Sequence, residues 1–499
     1  MRMSGVGSVK MHAVVFAFPM QGHIIPTFNL AKKLAAKGVV VTIVYTHSCH
    51  ARIIKSNDGR DPFADYATRA GLDIRSALVS DGLPLHFDRT LNGFELTNSL
   101  IYNMESHVEE FLRDLQSKEP PISCIIADTF FVWPRRIANK FGIPFVSFWT
   151  ESVMVFCIFY NWDLLIKNGH HPFTGNEGEI IKYIPGAPSL KLTDLPSYLQ
   201  EYDVSTPAHT LIFQAFQSAR AADYIISNTV DELESRRIQE LQLQSGIPFL
   251  SVGPLLPSSL LEDGMSKDDE MGSSMWAESD CTSWLDGKPK HSVIYVSFGS
   301  YANVSKAQIH EMAMGLLHSK RPFIWVLRRD IVGSDVHEDI LPEGFLEESK
   351  EQGLVVEWLS QLDVLSHSSV GGFLTHCGWN SIMESLWFGV PMLAFPLVAD
   401  QNTNCRLIVE EWGVGMRLGK CSRILNNMRS TLVEEEIAAT IKQFMDMDGG
   451  VGTKIRRKVE CVREVMKKAV TNGGSSHKNL DLFVEQFKGS DPFPFQSNQ

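Results

Sequence analysis

Apolar residues near the start of the chain run in short unbroken blocks instead of alternating. His12–Phe18 is one block, the pattern of a strand buried on both faces. Pro19–His23 follows as a turn-rich loop. From Pro26 to Lys37, Phe28, Leu30, Ala31, Leu34 and Ala35 keep helical spacing, and Gly38 stands where a helix C-cap belongs. Val39–Tyr45 is a second buried block. Strand, helix and strand in that order make a βαβ unit, which requires a parallel sheet. Ser123–Ala127 and Pro144–Phe148 read as further strands of it. The pattern then recurs. Ser292–Phe298 is a buried block, and Gly299-Ser300 opens a loop. Ser305-Lys306-Ala307-Gln308 reads as a capping box. Ile309, Met312, Ala313, Leu316 and Leu317 form a helical stripe, and Phe323–Leu327 is another strand. Two halves that both open with βαβ predict an α/β protein of two tandem Rossmann-like, doubly wound domains with a cleft between them.

The expected boundaries follow from composition. Residues 1–256 form the first domain and 284–474 the second, joined by an acidic linker at 257–283. Between Glu262 and Asp280 the chain carries seven acids and one Lys. A last helical segment, Ser475–Phe487, is expected to pack back on the first domain, and the polar tail from Gly489 to fray.

The 499 residues carry a net charge of −12, which disfavours sequence-independent binding to nucleic acid. The eight cysteines, Cys49, Cys124, Cys157, Cys281, Cys377, Cys405, Cys421 and Cys461, contain no C-x-x-C pair. That argues against a zinc ribbon and for free thiols in a reducing compartment. The first apolar stretch, Ala13–Phe18, is too short for a signal-peptide core. The longest run, Val153–Tyr160, falls far below the roughly 20 residues of a membrane helix. The expectation is a cytoplasmic protein with no membrane span.

Trp358–Gln401 is the most informative stretch. Gly371–Thr375 is a strand ending at His376-Cys377-Gly378. A helix follows from about Asn380 to Phe388, with Gly389 and Pro391 beyond. A strand feeding a tight turn and a helix N-terminus suits phosphate, through free N–H groups and the helix dipole. His376 adds a donor there. The loop Pro396–Gln401 after the strand Met392–Phe395 reaches the same carboxyl edge of a parallel sheet. At the corresponding edge of the first half lie His23 and Asp128, each just past a strand. A neutral imidazole there can take a proton from a hydroxyl, and a carboxylate on its other nitrogen fixes the tautomer.

Trp358–Gln401 resembles the donor-binding signature of the plant UDP-dependent glycosyltransferases. The match runs through Trp358, Gln361, Val364-Leu365, His367, Phe373, His376-Cys377-Gly378-Trp379-Asn380-Ser381, Glu384, Gly389-Val390-Pro391, Pro396 and Asp400-Gln401. Two positions depart from it: Ser360 where the family has Pro, and Phe395 where it often has Trp. The resemblance implies the two-domain GT-B architecture and a site for UDP-glucose without metal or separate cofactor. Trp358 would stack on the uracil. Gln361 and Glu384 would hold the ribose. Ser300, His376, Asn380 and Ser381 would hold the diphosphate, and Asp400 and Gln401 the sugar, with Leu359 and Trp379 as further donor-site residues. Gln401 goes with glucose. His23 and Asp128 would be the catalytic dyad of an inverting transfer to a small lipophilic acceptor, by a monomer.

Other readings stand beside these. Ser381-x-x-Glu384 is also a capping box, so Glu384 has a structural alternative. Cys377 reads as a buried spacer and His367 as packing. Met154–Tyr160 is either core or acceptor wall, with Leu83–Phe94, Trp149–Phe156 and Tyr183–Tyr198 as candidate lining. A non-catalytic sugar-nucleotide binder would not need His23 with Asp128. An oxidoreductase would need its Gly fingerprint after the first strand, whereas Gly5-Val6-Gly7 precedes it.

Overall fold

The computed structural model describes residues 10–90, 92–173, 175, 178–187, 189–261, 275–332, 340–419, 432–447 and 449–487. Gly5-Val6-Gly7, residues 262–274 of the expected linker, Cys421 and the tail from Gly489 lie outside the described residues.

In chain order the strands are β1 (His12–Phe16), β2 (Val40–Thr46), β3 (Ile74–Val79), β4 (Cys124–Asp128), β5 (Phe145–Trp149), the short β6 (Ile180–Ile181) and β7 (Leu190–Lys191), β8 (Tyr224–Ser227) and β9 (Phe249–Ser251). They continue with β10 (Val293–Ser297), β11 (Phe323–Val326), β12 (Gly353–Val356), β13 (Val370–Thr375), β14 (Met392–Ala394) and β15 (Gly415–Arg417). One parallel sheet has the order β3-β2-β1-β4-β5-β8-β9, the other β12-β11-β10-β13-β14-β15. These are two Rossmann-like α/β sheets, as the repeated βαβ pattern predicts. β1, β4, β10 and β13 are buried at every residue, which is why they read as solid apolar blocks.

The chain divides into two compact units. The first takes Met1–Thr150, Thr210–Met275 and Ala469–Gln499; the second takes Glu151–His209 and Trp276–Lys468. Residues 151–209, inside the expected first domain, therefore group with the second sheet. Within that unit Ser197 and Ala399 exchange backbone and side-chain bonds of 2.8 Å each, and Thr403 donates to the Asp194 carbonyl at 2.7 Å. In the first unit the last described helix, Ser475–Phe487, lies beside β9: Asn479 donates to the Ser251 carbonyl at 2.9 Å, and Phe487 packs on Tyr224.

One boundary differs from expectation. The first helix spans Gln21–Ala36, with Pro26 inside it, so His23 sits in a helical first turn and not in a loop. The His23 and Ile24 N–H groups both reach the Met20 carbonyl at 2.9 Å. Pro26 is the sixth helical residue, so the bond it forgoes is the one its own N–H would have made to the Gly22 carbonyl. The Ser305–Gln308 capping box forms as predicted. Among the described residues no helix is long and apolar enough to cross a membrane.

Candidate active site

The first unit brings His23 and Asp128 together. Asp128 is the last residue of β4, which pairs with β1 through Phe16↔Ala127. The chain leaving β1 turns at Phe18 and enters the helix that carries His23. Nδ1 of His23 lies 2.8 Å from Oδ2 of Asp128. Oδ1 of the same carboxylate accepts the Phe130 N–H at 3.0 Å. A carboxylate only accepts, so the His23 proton sits on Nδ1 and Nε2 keeps its lone pair. Asp128 is 1% exposed, while the His23 side chain keeps 13%. Phe18 and Phe130 flank the imidazole at 5.3 and 5.4 Å between ring centres. Thr150, just past β5, brings Oγ1 to 3.0 Å from Nδ1 and takes a second share of its proton. From sequence Thr150 stands only within the candidate acceptor lining Trp149–Phe156, with no sign of its contact with His23, although it follows the strand next to β4.

The second unit builds a turn at the end of β13. Cys377 is held at φ +68, a left-handed value rare outside glycine, with its N–H on Thr375 Oγ1 at 3.2 Å. It is fully buried, as a spacer should be. Gly378 is the N-cap of the helix Trp379–Phe388, which places Ser381 in the first turn and removes the capping-box role for Ser381 and Glu384. The His376 ring lies against two glycines. A Cβ on Gly299 would stand 2.5 Å from Nε2, and one on Gly378 2.4 Å. The ring also bonds the Ser297 backbone, while its buried Nδ1 has no hydrogen-bond partner among the described residues. Burial, and then the nearby Arg328 charge, push its pKa down to about 4. The ring is therefore neutral at pH 7, and the standing positive charge is Arg328.

Arg328 went unnoticed in the sequence. It lies two residues beyond Val326, which pairs with Ser297. Only 2% exposed, it donates from Nη2 to the Ala302 carbonyl at 2.7 Å, has Asp330 3.3 Å from Nε, and has no Nη1 partner among the described residues. Ser300, half-buried between Gly299 and Tyr301, makes no side-chain hydrogen bond among the described residues. Trp379 packs its indole beside Trp412, so what it offers a ligand is backbone at the helix start, with half-buried Asn380 next to it.

Gln361, Ser381 and Glu384 form one network. Gln361 Nε2 donates to Ser381 Oγ at 2.9 Å and to Glu384 Oε2 at 2.6 Å, and its Oε1 accepts from the Tyr295 hydroxyl at 3.0 Å. Burial raises the Glu384 pKa to about 7, against the opposing Gln361 bond. Trp358 stacks on Trp276 at 5.3 Å and 22°. Leu359 buries its side chain in the core cluster beneath, leaving only its backbone toward a ligand. Ser360, where the family has Pro, caps the helix Gln361–Ser366 through the Asp363 N–H. Phe395 is 1% exposed and packs 5.7 Å from Phe298. His367 is tied to Ser369 and Asp286, a packing role.

Past β14 the chain bends at Ala399, φ +59, into the helix Gln401–Arg406. Gln401 Oε1 accepts the Leu397 and Val398 N–H groups, both at 2.8 Å. Its NH2 group has no protein acceptor among the described residues, so it is the end available to a hydroxyl. Asp400 beside it is 8% exposed. Taken by unit, the first holds a proton acceptor backed by a buried carboxylate. The second holds a strand–turn–helix motif whose free helix N–H groups suit an anion, with Trp358 and the Asp400-Gln401 pair in the same unit.

The family model described as "UDP-glucoronosyl and UDP-glucosyl transferase" matches residues 266–439. UDP-glycosyltransferase 86A2 of Arabidopsis thaliana is 44% identical over 480 residues, covering 96% of this chain and 95% of its own. Linamarin synthase 1 of Manihot esculenta is 34% identical over 489 residues, covering 95% and 96%. Among solved structures, Medicago truncatula UGT71G1 complexed with UDP-glucose aligns at TM-score 0.76 and 26% identity, over 96% of this chain and 99% of its own. Phytolacca americana UGT2, complexed with UDP-2fluoro-glucose and pterostilbene, gives the same TM-score, identity and coverage. Both neighbours share the two-sheet α/β architecture.

Proposed function

The chain belongs to the plant UDP-dependent glycosyltransferases, and from that membership we propose that it moves glucose from UDP-glucose onto a hydroxyl or carboxyl group of a small lipophilic metabolite. The observation that carries this reading is the His23–Asp128 pair, with Nδ1 engaged at 2.8 Å and Nε2 left to act. Nε2 takes the proton of the acceptor hydroxyl as that oxygen bonds to C1 of the glucose. The C1–phosphate bond breaks on the opposite side, so an α-linked donor gives a β-glucoside and UDP. Asp128 stabilises the imidazolium that forms. Gln361 and Glu384 take the ribose hydroxyls, and Trp358 with the Leu359 backbone takes the uracil. The first turn of the helix Trp379–Phe388, with Ser300, His376 and Ser381, takes the diphosphate as its charge grows. Asp400 and Gln401 bind the sugar. The acceptor class is a flavonoid, phenol or terpenoid, supported by the pterostilbene of the Phytolacca relative; the helix Val153–Tyr160 is buried throughout and serves as core. The same reading makes the protein a cytoplasmic monomer that needs no metal or separate cofactor. Its seven described cysteines are free thiols, in keeping with a reducing compartment.

The test is a panel of hydroxylated and carboxylated acceptors with UDP-glucose, following UDP release and product mass. At least one acceptor should gain a single hexose with β configuration. Replacing His23→Ala should lower turnover by about 10³-fold and leave UDP affinity within about twofold, because the base acts in the transition state and not on the nucleotide. A variant as active as the wild type would remove His23 from the chemistry.

A further inference from the structure

One buried amide in the second unit joins three parts of the site that the sequence treats as separate. Asn404, on the helix that begins at Gln401, has no solvent exposure. Its Nδ2 donates to the Cys377 carbonyl at 3.1 Å and to Asp400 Oδ2 at 2.5 Å. Its Oδ1 accepts the Ser152 hydroxyl at 2.9 Å, and Ser152 is the N-cap of the aromatic helix Val153–Tyr160. The side chain thus donates to two acceptors and accepts from one donor. Flipping the amide would set its oxygen against a carbonyl and a carboxylate, so its orientation is fixed. The bond to Asp400 is charge-assisted, which makes it the strongest of the three.

We infer that Asn404 is a positioning residue for donor-sugar selection: it fixes the rotation of the Asp400 carboxylate and ties that carboxylate to the Cys377 turn and to the Val153–Tyr160 helix. This rests on the proposed role of Asp400 in holding the sugar. The Cys377 turn is also held by Thr375 Oγ1, so it outlasts the loss of Asn404, whereas the Asp400 carboxylate loses its charge-assisted bond. The consequence is a selective one. The sugar end of the donor loses its grip, and the nucleotide end does not.

Asn404→Asp is nearly isosteric and replaces the two donors with an oxygen that repels both the carboxylate and the carbonyl. Its kcat/KM for UDP-glucose should fall about 30-fold, within the range for a buried charged acceptor that loses its bond. The dissociation constant of UDP, read by calorimetry, should move less than about threefold. The preference for UDP-glucose over UDP-galactose and UDP-xylose should shrink alongside. If Asn404→Asp does not fold, Asn404→Ser keeps one small donor and is read the same way. Equal losses for UDP and UDP-glucose, or unchanged donor preference, would reduce Asn404 to packing and overturn the inference. Should the wild type transfer to no acceptor, the proposed function fails by itself. The affinities for UDP and UDP-glucose, measured without acceptor, then still decide the role of Asn404.

Discussion

The two sheets reverse their strand order at corresponding places, between β1 and β4 in one and between β10 and β13 in the other. Crevices for ligands form where order reverses, beyond the carboxyl ends of the strands. The two units furnish that place with opposite chemistry. In the first, β4 ends in a buried carboxylate, and the helix after β1 supplies an imidazole that fills Nδ1 and leaves Nε2. In the second, the residue after β13 is His376, an imidazole that burial holds neutral, Gly299 stands two residues past β10, and Arg328, two residues past β11, is a buried guanidinium. One topology therefore offers a position, and the residues at three strand ends decide whether it manages a proton or an anion. The contrast between His23 and His376 is a contrast of partners: one ring has its carboxylate, and the other has an unmatched nitrogen among the described residues.

The largest break in this comparison comes from Asp128→Asn. The asparagine oxygen stays on the Phe130 N–H, as Oδ1 does now, which turns the NH2 group toward His23. Nδ1 must then accept, the proton moves to Nε2, and the base is lost. Turnover should fall by about 10²–10⁴-fold, while UDP binding measured by calorimetry stays level. A rate within about threefold of wild type would mean that the carboxylate does not set the tautomer.

A smaller effect sharpens the other half. Gly299→Ala places a methyl group 2.5 Å from His376 Nε2 on a backbone at φ +72. Gly38→Ala suffers a similar φ of +83 with nothing within 4 Å. Both variants should lose stability of about 1–2 kcal/mol from the left-handed backbone. Only Gly299→Ala should also weaken UDP, by about tenfold or more, because only there must the ring move. If both bind UDP as the wild type does, His376 does not depend on its glycine seat and its place in the anion site is in doubt.

Much of this was legible in the chain. Solid apolar blocks marked β1, β2, β10 and β13, because strands covered on both faces carry no alternation. The His376–Gly378 turn was legible because a strand, a glycine and a helical stripe follow one another within a few residues. The start of the first helix was misplaced because Pro favours a first helical position, and Pro26 instead lies within the helix, leaving His23 helical. The contacts of Thr150 with His23, of Arg328 with His376 and of Asn404 with Ser152 were not legible for a common reason. Each joins residues distant in sequence, and a single chain does not say which strand ends become neighbours. The grouping of residues 151–209 with the second sheet was hidden likewise, since it depends on contacts such as Ser152 with Asn404 and Ser197 with Ala399.

The smallest expected effect separates the nucleotide corner from both histidines. Burial raises the Glu384 pKa to about 7, so near neutral pH it is half protonated before a ligand arrives. Ribose hydroxyls donate best to the ionised carboxylate. Affinity for UDP-glucose, whose diphosphate has no second ionisation near neutrality, should therefore rise with pH up to about 7 and level off above, falling by up to about tenfold per unit below it. His376, at about 4, titrates below this window. Stability runs the other way. A carboxyl raised on folding favours the native state most below its unfolded pKa of about 4.5, and that contribution is lost as pH climbs to about 7. Glu384→Gln should flatten both slopes, and 2′-deoxy-UDP-glucose should flatten the binding slope if the 2′-hydroxyl is the donor. Glu278, raised to about 7 by burial and then by Asp363, and Glu201, raised to about 7 by burial and then by Asp203, also lie in this range. A binding slope that persists in Glu384→Gln belongs to another group, and the assignment of Glu384 to the ribose would then fall.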